Sequence, residues 1–463
     1  MTARAEGTPR DLLVLALYSA TLLAALSTLG RTIVPALDEG TYLTAARLMI
    51  HDGLLPYRDF AIAHPPFSMV LAGIVLEAVG GRMVLFDALY TAWCLSAVFP
   101  VARTVRALTG DRRAALVAAL LFLTFPEFLR WDARFFALRQ ASLPFLAFAL
   151  EALWVRRKPA LAGILTGLFG AALVPHALLA LVFGGSAVVV LARKGEAAAA
   201  RRLVLGLGAT LALTYGVTAL IPGFWAATFG FQVARERVPV LVRLGRLAWD
   251  VLPQSGPILV AGIVGSFLLP VRLRALAWLN LVGIPVILLT PPSFYPHYLA
   301  SFGPSLALAA GALAARIGAR SSAAGSTVVA GFTGVALLVS GVALKEPLTR
   351  TTPHLFRVVD ALRQVPEPLL CLEPIYARWA GKELTFHYNV ADLRYAPKLK
   401  FTTLDDAAFF DLVARSRSVL VDPNLGPFLT PGRAAELVRD FVPVYRDSRN
   451  VVLVRRTSAN ATR

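Results

Sequence analysis

Two adjacent carboxylates near the start of the chain are the residues best suited to catalysis. Asp38 and Glu39 precede Gly40 and follow the apolar residues 12–29 at a short distance. Asp38 could cap a following helix, and Glu39 would suit the first turn of that helix. Alternatively, Asp38 could act as a general base that takes a proton from an acceptor hydroxyl. The residue types alone leave both interpretations open.

A second segment that could take part in binding or catalysis is rich in arginine. It reads Arg130-Trp131-Asp132-Ala133-Arg134, and Arg139 follows closely. Arginine binds phosphate oxygens through two parallel hydrogen bonds and is always charged, so the segment could hold a phosphate. Arg134 is the arginine that we favour for this role. The segment could instead be a membrane-interface anchor in which Asp132 pairs with Arg134.

A third segment contains His297 and Tyr298, directly before an apolar stretch that begins at Leu299. Both side chains could donate hydrogen bonds to a phosphate oxygen. An interfacial tyrosine beside a solvated histidine is the competing interpretation. A lone histidine, His176 after Pro175, is predicted to be structural.

The composition shows what kind of protein must position these residues. Of 463 residues, 57% are apolar and 16% are charged, whereas roughly a quarter are charged in soluble domains. The apolar residues form blocks nearly free of charge, as membrane-spanning helices do. The net charge of +18 comes from short basic clusters between these blocks rather than from one basic patch. We therefore expect no nucleic-acid partner.

The basic clusters also predict the topology, since cytoplasmic loops are enriched in Lys and Arg. They fit about eleven spans, with the N-terminus inside and the C-terminus outside. Residues 65–79 would be a short helix at the outer interface, because about 20 residues are needed to cross a bilayer. Residues 1–344 would then form an all-α polytopic membrane domain, and residues 31–82 would be its first outer loop.

Residues 345–463 have ordinary polarity and predict a small extracytoplasmic α/β domain. Helical spacing occurs over 353–365 and 404–416, and short buried strands are indicated at 369–372, 419–421, 442–445 and 451–454.

The first outer loop resembles that of the protein O-mannosyltransferase and lipid A aminoarabinose transferase superfamily, which is a group of glycosyltransferase family 39-like membrane enzymes with the GT-C fold. The resemblance is strongest over residues 38–82 and continues collinearly to about residue 320. It is carried by Asp38-Glu39-Gly40-x-Tyr42, by Gly53-x-x-Pro56-Tyr57-x-Asp59-Phe60 and by His64-Pro65-Pro66.

This resemblance implies sugar transfer from a polyprenyl-phosphate donor, with inversion, to a lipid, glycan or protein acceptor in the cell envelope. Asp38 would be the catalytic base, and Glu39 would help to orient it. Asp132 matches an acid that faces the first one in the family, and His297 and Tyr298 match residues near the donor phosphate. With Arg134, the loop residues Arg58 and His64 complete the predicted substrate-binding set.

Three further expectations concern metal, location and a rival function. No cofactor is indicated, although Asp38, Glu39 and Asp132 could hold a divalent cation through oxygen ligands. The protein is expected in a bacterial inner membrane, with its active site on the extracytoplasmic side. The main alternative is a transporter or a lipid-linked-sugar flippase, which should carry ionisable residues near the centres of its spans.

Overall fold

The structure is a computed structural model. It describes residues 11–27, 29, 38–60, 62–129, 135–230, 233, 237–269, 273–291, 295–320, 323–349, 352–385, 405–423 and 425–456. The chain divides into two compact units. We call Met1–Leu29, Asp87–Thr218 and Glu236–Thr349 the bundle unit, and Gly30–Phe86, Ala219–Arg235 and Arg350–Arg463 the mixed unit.

Helices dominate the chain up to residue 349. The described helices there are α1 (Asp11–Leu26), α2 (Glu39–Ile50), α3 (Phe67–Ala78), α4 (Met83–Leu95), α5 (Val98–Thr109), α6 (Arg112–Leu123), α7 (Pro126–Leu129), α8 (Leu138–Trp154), α9 (Pro159–Gly170), α10 (Val174–Arg193), α11 (Ala197–Leu211), α12 (Val217–Ala219), α13 (Val240–Arg246), α14 (Leu252–Leu268), α15 (Arg274–Leu289), α16 (Gly303–Arg320) and α17 (Ala323–Thr349). Short π-helical turns occur at Ala212–Gly216, Ala226–Gly230 and Leu247–Val251, and a 3-10 helix spans Pro296–Phe302.

Several of these helices have the length and composition of membrane spans. Within the described ranges, five helical stretches are long and apolar enough to cross a bilayer: Met83–Thr109, Val174–Arg193, Ala197–Ala219, Val240–Leu268 and Pro296–Ala319. Shorter apolar helices such as Pro159–Gly170 and Arg274–Leu289 accompany them. The chain is thus an integral membrane protein, as predicted, and the number of eleven spans stays a prediction.

Small residues let neighbouring helices of the bundle unit approach closely. A Cβ atom on Gly206 of α11 would lie 2.5 Å from the carbonyl oxygen of Ala160 in α9, and one on Gly163 would overlap the Leu203 carbonyl. Such contacts are typical of membrane helices, where van der Waals packing and hydrogen bonds hold the helices together.

Helix α3 corresponds to the segment that the charge pattern excluded from the spans. It has 12 residues, and at 1.5 Å per residue it is about 18 Å long, which is shorter than the bilayer core of about 30 Å. Its side chain Ile74 is 52% exposed. The predicted position at the outer interface stays a prediction, and the exposed apolar surface suits it.

The C-terminal part of the mixed unit forms a four-stranded sheet with flanking helices. The strands β1 (Leu369–Leu370), β2 (Ser418–Val421), β3 (Phe441–Arg446) and β4 (Val451–Arg455) are arranged in the order β1-β2-β4-β3. The β1–β2 pair is parallel and the other two pairs are antiparallel. The helices are α18 (Pro353–Arg363), α19 (Pro374–Ala380), α20 (Asp406–Arg415) and α21 (Pro431–Asp440), with a 3-10 helix at Gly426–Phe428.

The predicted α/β elements of this region are present, each within two residues of its predicted bounds. Their apolar residues form one buried core, which contains Leu370, Leu372, Phe409, Leu412, Val413, Val419, Leu425, Leu437 and Phe441. The predicted domain boundary at residue 344 and the extracytoplasmic position stay predictions. The unit division adds that Gly30–Phe86 belongs with Arg350–Arg463.

Candidate active site

Asp38 lies at the N-terminus of α2, but its side chain does not cap that helix. Its backbone is helical, with φ −63° and ψ −11°, and its carboxylate makes no capping hydrogen bond. A capping residue normally has an extended backbone and accepts a hydrogen bond from an amide two or three residues further on. Asp38 is instead exposed. The capping interpretation of Asp38 is wrong, and its carboxylate is accessible for chemistry.

Tyr42 holds the Asp38 carboxylate from one helical turn further along. The Tyr42 hydroxyl donates a 3.0 Å hydrogen bond to Asp38 Oδ2, as the four-residue spacing on a helix permits. Tyr42 is only 6% exposed, and its ring meets the half-buried His64 imidazole edge-on at 5.7 Å. A buried tyrosine that is packed in this way restricts the positions that the carboxylate can adopt.

Tyr57 supports His64 from the neighbouring turn. Its hydroxyl donates a 2.7 Å hydrogen bond to the His64 backbone carbonyl, and its ring packs edge-on against Phe224 at 5.3 Å. The backbone of Tyr57 has φ +67°, a conformation that costs about 1–3 kcal/mol for a residue other than glycine. Burial raises the pKa of the Tyr57 hydroxyl, which therefore stays a neutral donor. Tyr57 is a structural anchor for the His64 segment.

Arg58 is already engaged by its neighbour. Its Nε and Nη2 atoms donate to the two carboxylate oxygens of Asp59, each at 2.8 Å. These hydrogen bonds, together with one from the Leu55 amide, lower the pKa of Asp59 to about 2. A substrate phosphate would have to compete with this pair, so the substrate-binding role of Arg58 stays a prediction.

The two acids of the predicted pair lie in different environments. Glu39 is 2% exposed and occupies the first turn of α2, where the helix dipole favours a negative charge. A role in orienting Asp38 stays a prediction for Glu39.

Gly40, the residue that follows the two acids, lies where two helices approach each other closely. A Cβ atom at Gly40 would lie 2.5 Å from the backbone nitrogen of Ile375 in α19. The starts of α2 and α19 can approach this closely only because residue 40 has no side chain.

In the bundle unit, His297 and Tyr298 belong to a cluster of aromatic and basic side chains, which we call the aromatic–arginine cluster. The Tyr295 ring stacks on His297 with centroids 5.5 Å apart. The Arg139 guanidinium lies 4.4 Å from the centroid of the Tyr298 ring, and Arg246 lies 5.8 Å from that of Tyr295. A guanidinium stacked on a ring still presents N–H donors at its edge, which is an arrangement suited to phosphate oxygens.

His176 has the structural role that the sequence predicts. It is 1% exposed, and its two ring nitrogens lie 3.0 Å from Ser142 Oγ and 2.8 Å from Ser301 Oγ. Its ring stacks on Phe169 at 4.4 Å. These contacts tie α10 to α8 and to the 3-10 helix Pro296–Phe302.

The predicted residues Asp132 and Arg134 lie outside the described residues. Within the described part of the chain, no three His, Cys, Asp or Glu side chains come close enough together to hold a metal ion. Since Asp132 is one of the three predicted oxygen ligands, the possible divalent cation stays a prediction.

Comparison with known structures gives the architecture a name. ArnT from Cupriavidus metallidurans bound to undecaprenyl phosphate is similar to this chain, with a TM-score of 0.66 and 17% identity over 97% of this chain and 99% of that one. The same protein in the apo state gives a TM-score of 0.67. An oligosaccharyltransferase from Archaeoglobus fulgidus, tethered with an acceptor peptide, is also similar. Its TM-score is 0.54, with 13% identity over 90% of this chain and 70% of that one.

At these identities the likeness establishes the fold. No protein-family model matches the chain, and no curated protein sequence does so. The chain has the GT-C fold of polytopic membrane proteins. The fold implied by the Asp-Glu-Gly and His-Pro-Pro motifs is thereby confirmed.

Proposed function

We propose that the chain is an inverting glycosyltransferase that moves a sugar from a polyprenyl-phosphate donor to a lipid, glycan or protein acceptor. The observation that carries the proposal is the Asp38 carboxylate, which is exposed, does not cap its helix and is held by Tyr42. The fold supports it, because ArnT of similar fold is bound to undecaprenyl phosphate and the oligosaccharyltransferase to an acceptor peptide.

In the proposed reaction Asp38 is the general base. It accepts the proton of an acceptor hydroxyl while the acceptor oxygen forms a bond to the anomeric carbon of the sugar. The bond between that carbon and the phosphate oxygen breaks on the opposite face, so the configuration inverts. The leaving polyprenyl phosphate is a good anion, and the protein mainly has to position the reactants and stabilise charge.

The aromatic–arginine cluster is our candidate for the site that binds the donor phosphate. Arg139 would contribute the permanent positive charge, and His297 and Tyr298 would add hydrogen-bond donors. Asp132 and Arg134 complete the proposed site as predicted from sequence.

The direct test is an assay of sugar transfer. Membranes that contain the chain are incubated with a polyprenyl-phosphate sugar labelled in the sugar, and transfer to an extractable acceptor is compared with uptake into sealed vesicles. Acceptor-bound label is expected. Label that enters the vesicles unreacted would support the transporter or flippase alternative.

Replacement of Tyr42 by Phe tests the positioning of Asp38. The ring would still pack on His64, but the hydrogen bond to the carboxylate would be lost. We expect kcat to fall about tenfold, as for a hydrogen bond to a charged group, with little change in the KM for donor.

Tyr18→Phe is the matched control, because the Tyr18 hydroxyl donates to the Ala92 carbonyl in the bundle unit. Its kinetics should equal those of the wild type. A Tyr42→Phe variant with unchanged kcat would rule out the positioning role.

Replacement of Arg139 by Gln tests the phosphate site. Loss of the guanidinium should raise the KM for the donor, and the Kd for undecaprenyl phosphate, about tenfold. Arg139→Lys should restore binding only in part, because an ammonium has no planar fork. Arg193→Gln, at an exposed arginine in the last turn of α10, is the control. Equal donor affinity in the two Gln variants would refute the assignment.

We further propose that residues 38–60 face the extracytoplasmic side of a bacterial inner membrane. Both native cysteines, Cys94 and Cys371, are buried, so an introduced cysteine should react selectively. Positions 52 and 194 are both exposed, so a cysteine at either can be labelled. From the proposed topology, an impermeant maleimide is expected to label Asp52→Cys in intact cells and Lys194→Cys only after permeabilisation. The reverse pattern would show that the topology is the opposite one, and Asp38 could then not act on the extracytoplasmic side.

A further inference from the structure

A basic cavity lies between helices α1, α5 and α6 of the bundle unit. Its volume is about 380 Å³, within the range of roughly 300–1,000 Å³ typical of ligand pockets. Four arginines line it: Arg103, Arg106, Arg112 and Arg113. The remaining walls are mainly apolar and include Phe99 and Leu116. The cavity therefore combines concentrated positive charge with an apolar surface.

Two acids close to the cavity are shared with other groups. Among the described residues that line the cavity, none is acidic. Glu151 accepts a 2.9 Å hydrogen bond from Arg103, but the same carboxylate also pairs with Arg156 at 3.0 Å. Asp111 caps α6 and accepts from two backbone amides there. The lining itself thus carries four positive charges, those of Arg112 and Arg113 among them, and no negative one, which favours a negatively charged ligand.

The apolar side of the cavity includes residues of α1, a helix with several exposed leucines. Leu13 lines the cavity and is 45% exposed, and its neighbours Leu12 and Leu15 are 63% and 47% exposed. In an integral membrane protein, exposed leucines on an apolar helix are suited to contact with acyl chains. The loop between α5 and α6 is one that the charge pattern predicts to be cytoplasmic, and the cytoplasmic leaflet carries anionic lipids.

We infer that this cavity binds the phosphate-bearing headgroup of an anionic phospholipid, with the acyl chains against α1. A soluble polyphosphate shares the phosphate chemistry but lacks the chains. The inference does not depend on the proposed sugar transfer, because none of the cavity residues belongs to the proposed catalytic or donor site.

The test is a binding titration of the full-length protein in neutral detergent. A fluorescent short-chain phosphatidylglycerol is the probe, a matched phosphatidylcholine is the reference, and anisotropy is the readout. The Arg112→Gln/Arg113→Gln double variant should bind phosphatidylglycerol about tenfold more weakly, since each basic residue near an anionic headgroup contributes to the attraction. Arg201→Gln/Arg202→Gln removes an equally exposed pair on α11 and should bind as the wild type does.

Two additions keep the test decisive. Arg106→Gln is the second variant in case the double variant is not folded on size-exclusion chromatography, and it should also weaken binding. Equal affinity for the two lipids, or unchanged binding in the cavity variants, would overturn the inference. If millimolar pyrophosphate displaces the probe and the cavity does not prefer the lipid to pyrophosphate, the cavity would be assigned to a soluble polyanion instead.

Discussion

Replacement of Asp38 by Asn is expected to reduce sugar transfer about a thousandfold, within the range of roughly 10²–10⁴ that a general base contributes. The amide has almost the same shape as the carboxylate, and its oxygen can still accept the hydrogen bond that Tyr42 donates to Asp38. The variant should fold and bind undecaprenyl phosphate as the wild type does. Initial rates of transfer, with donor binding measured in parallel, separate the loss of chemistry from the loss of binding.

Asp52→Asn is the matched control for this experiment. Asp52 is an exposed acid that follows the opposite end of α2, so the exchange makes the same change of charge in the same segment. Its transfer rate should be that of the wild type. An Asp38→Asn enzyme that keeps a third or more of its activity would exclude Asp38 as the base.

Replacement of Gly40 by Ala is expected to lower both stability and activity. The new Cβ would lie 2.5 Å from the Ile375 nitrogen and 3.0 Å from its Cα, and backbone atoms cannot rotate away as a side chain can. Overpacking of this kind destabilises by about 1–3 kcal/mol. Asp38 is two residues away, so a shift of about 1 Å at the start of α2 should reduce transfer by up to about a hundredfold.

Gly208→Ala tests whether the effect comes from the contact rather than from the loss of a glycine. A Cβ at Gly208 of α11 would have no neighbour within 4 Å, so Ala should be neutral or should stabilise the helix by up to about 1 kcal/mol. Thermal unfolding and transfer rates of the two variants are compared in the same detergent. Wild-type behaviour of Gly40→Ala would mean that α2 and α19 are not packed as described.

Several elements could be read from the sequence because their signals are local. The strand β4 follows from a short apolar run and the helix α18 from helical spacing, and both occur within two residues of their predicted bounds. The membrane helices could be predicted from composition, because apolar segments nearly free of charge are favourable in the lipid bilayer. The length of residues 65–79 was enough to predict a helix too short to span, and α3 has 12 residues.

The candidate site could be predicted only in part. The sequence correctly predicts that Asp38 lies at the start of a helix. It does not distinguish a capping from a catalytic Asp38, because both roles require the same residue type. Tyr42 lies four residues further on, and that spacing was the available signal for its contact with Asp38. Arg139 was noted for its charge, but its stacking on Tyr298 joins residues 159 positions apart, a distance that no local pattern reveals.

The sequence by itself determined that this chain enters a membrane, that Asp38 lies at the start of a helix and that the C-terminal residues contain the strands and helices of a small α/β region. Those properties depend on composition and on spacing between near neighbours. Only the tertiary structure decided that Asp38 is exposed while Glu39 is buried, that Gly40 makes room for Ile375 and that four arginines surround one cavity. The physical reason is that burial and close approach arise from residues distant in the chain, and the free energy of each contact depends on all its neighbours.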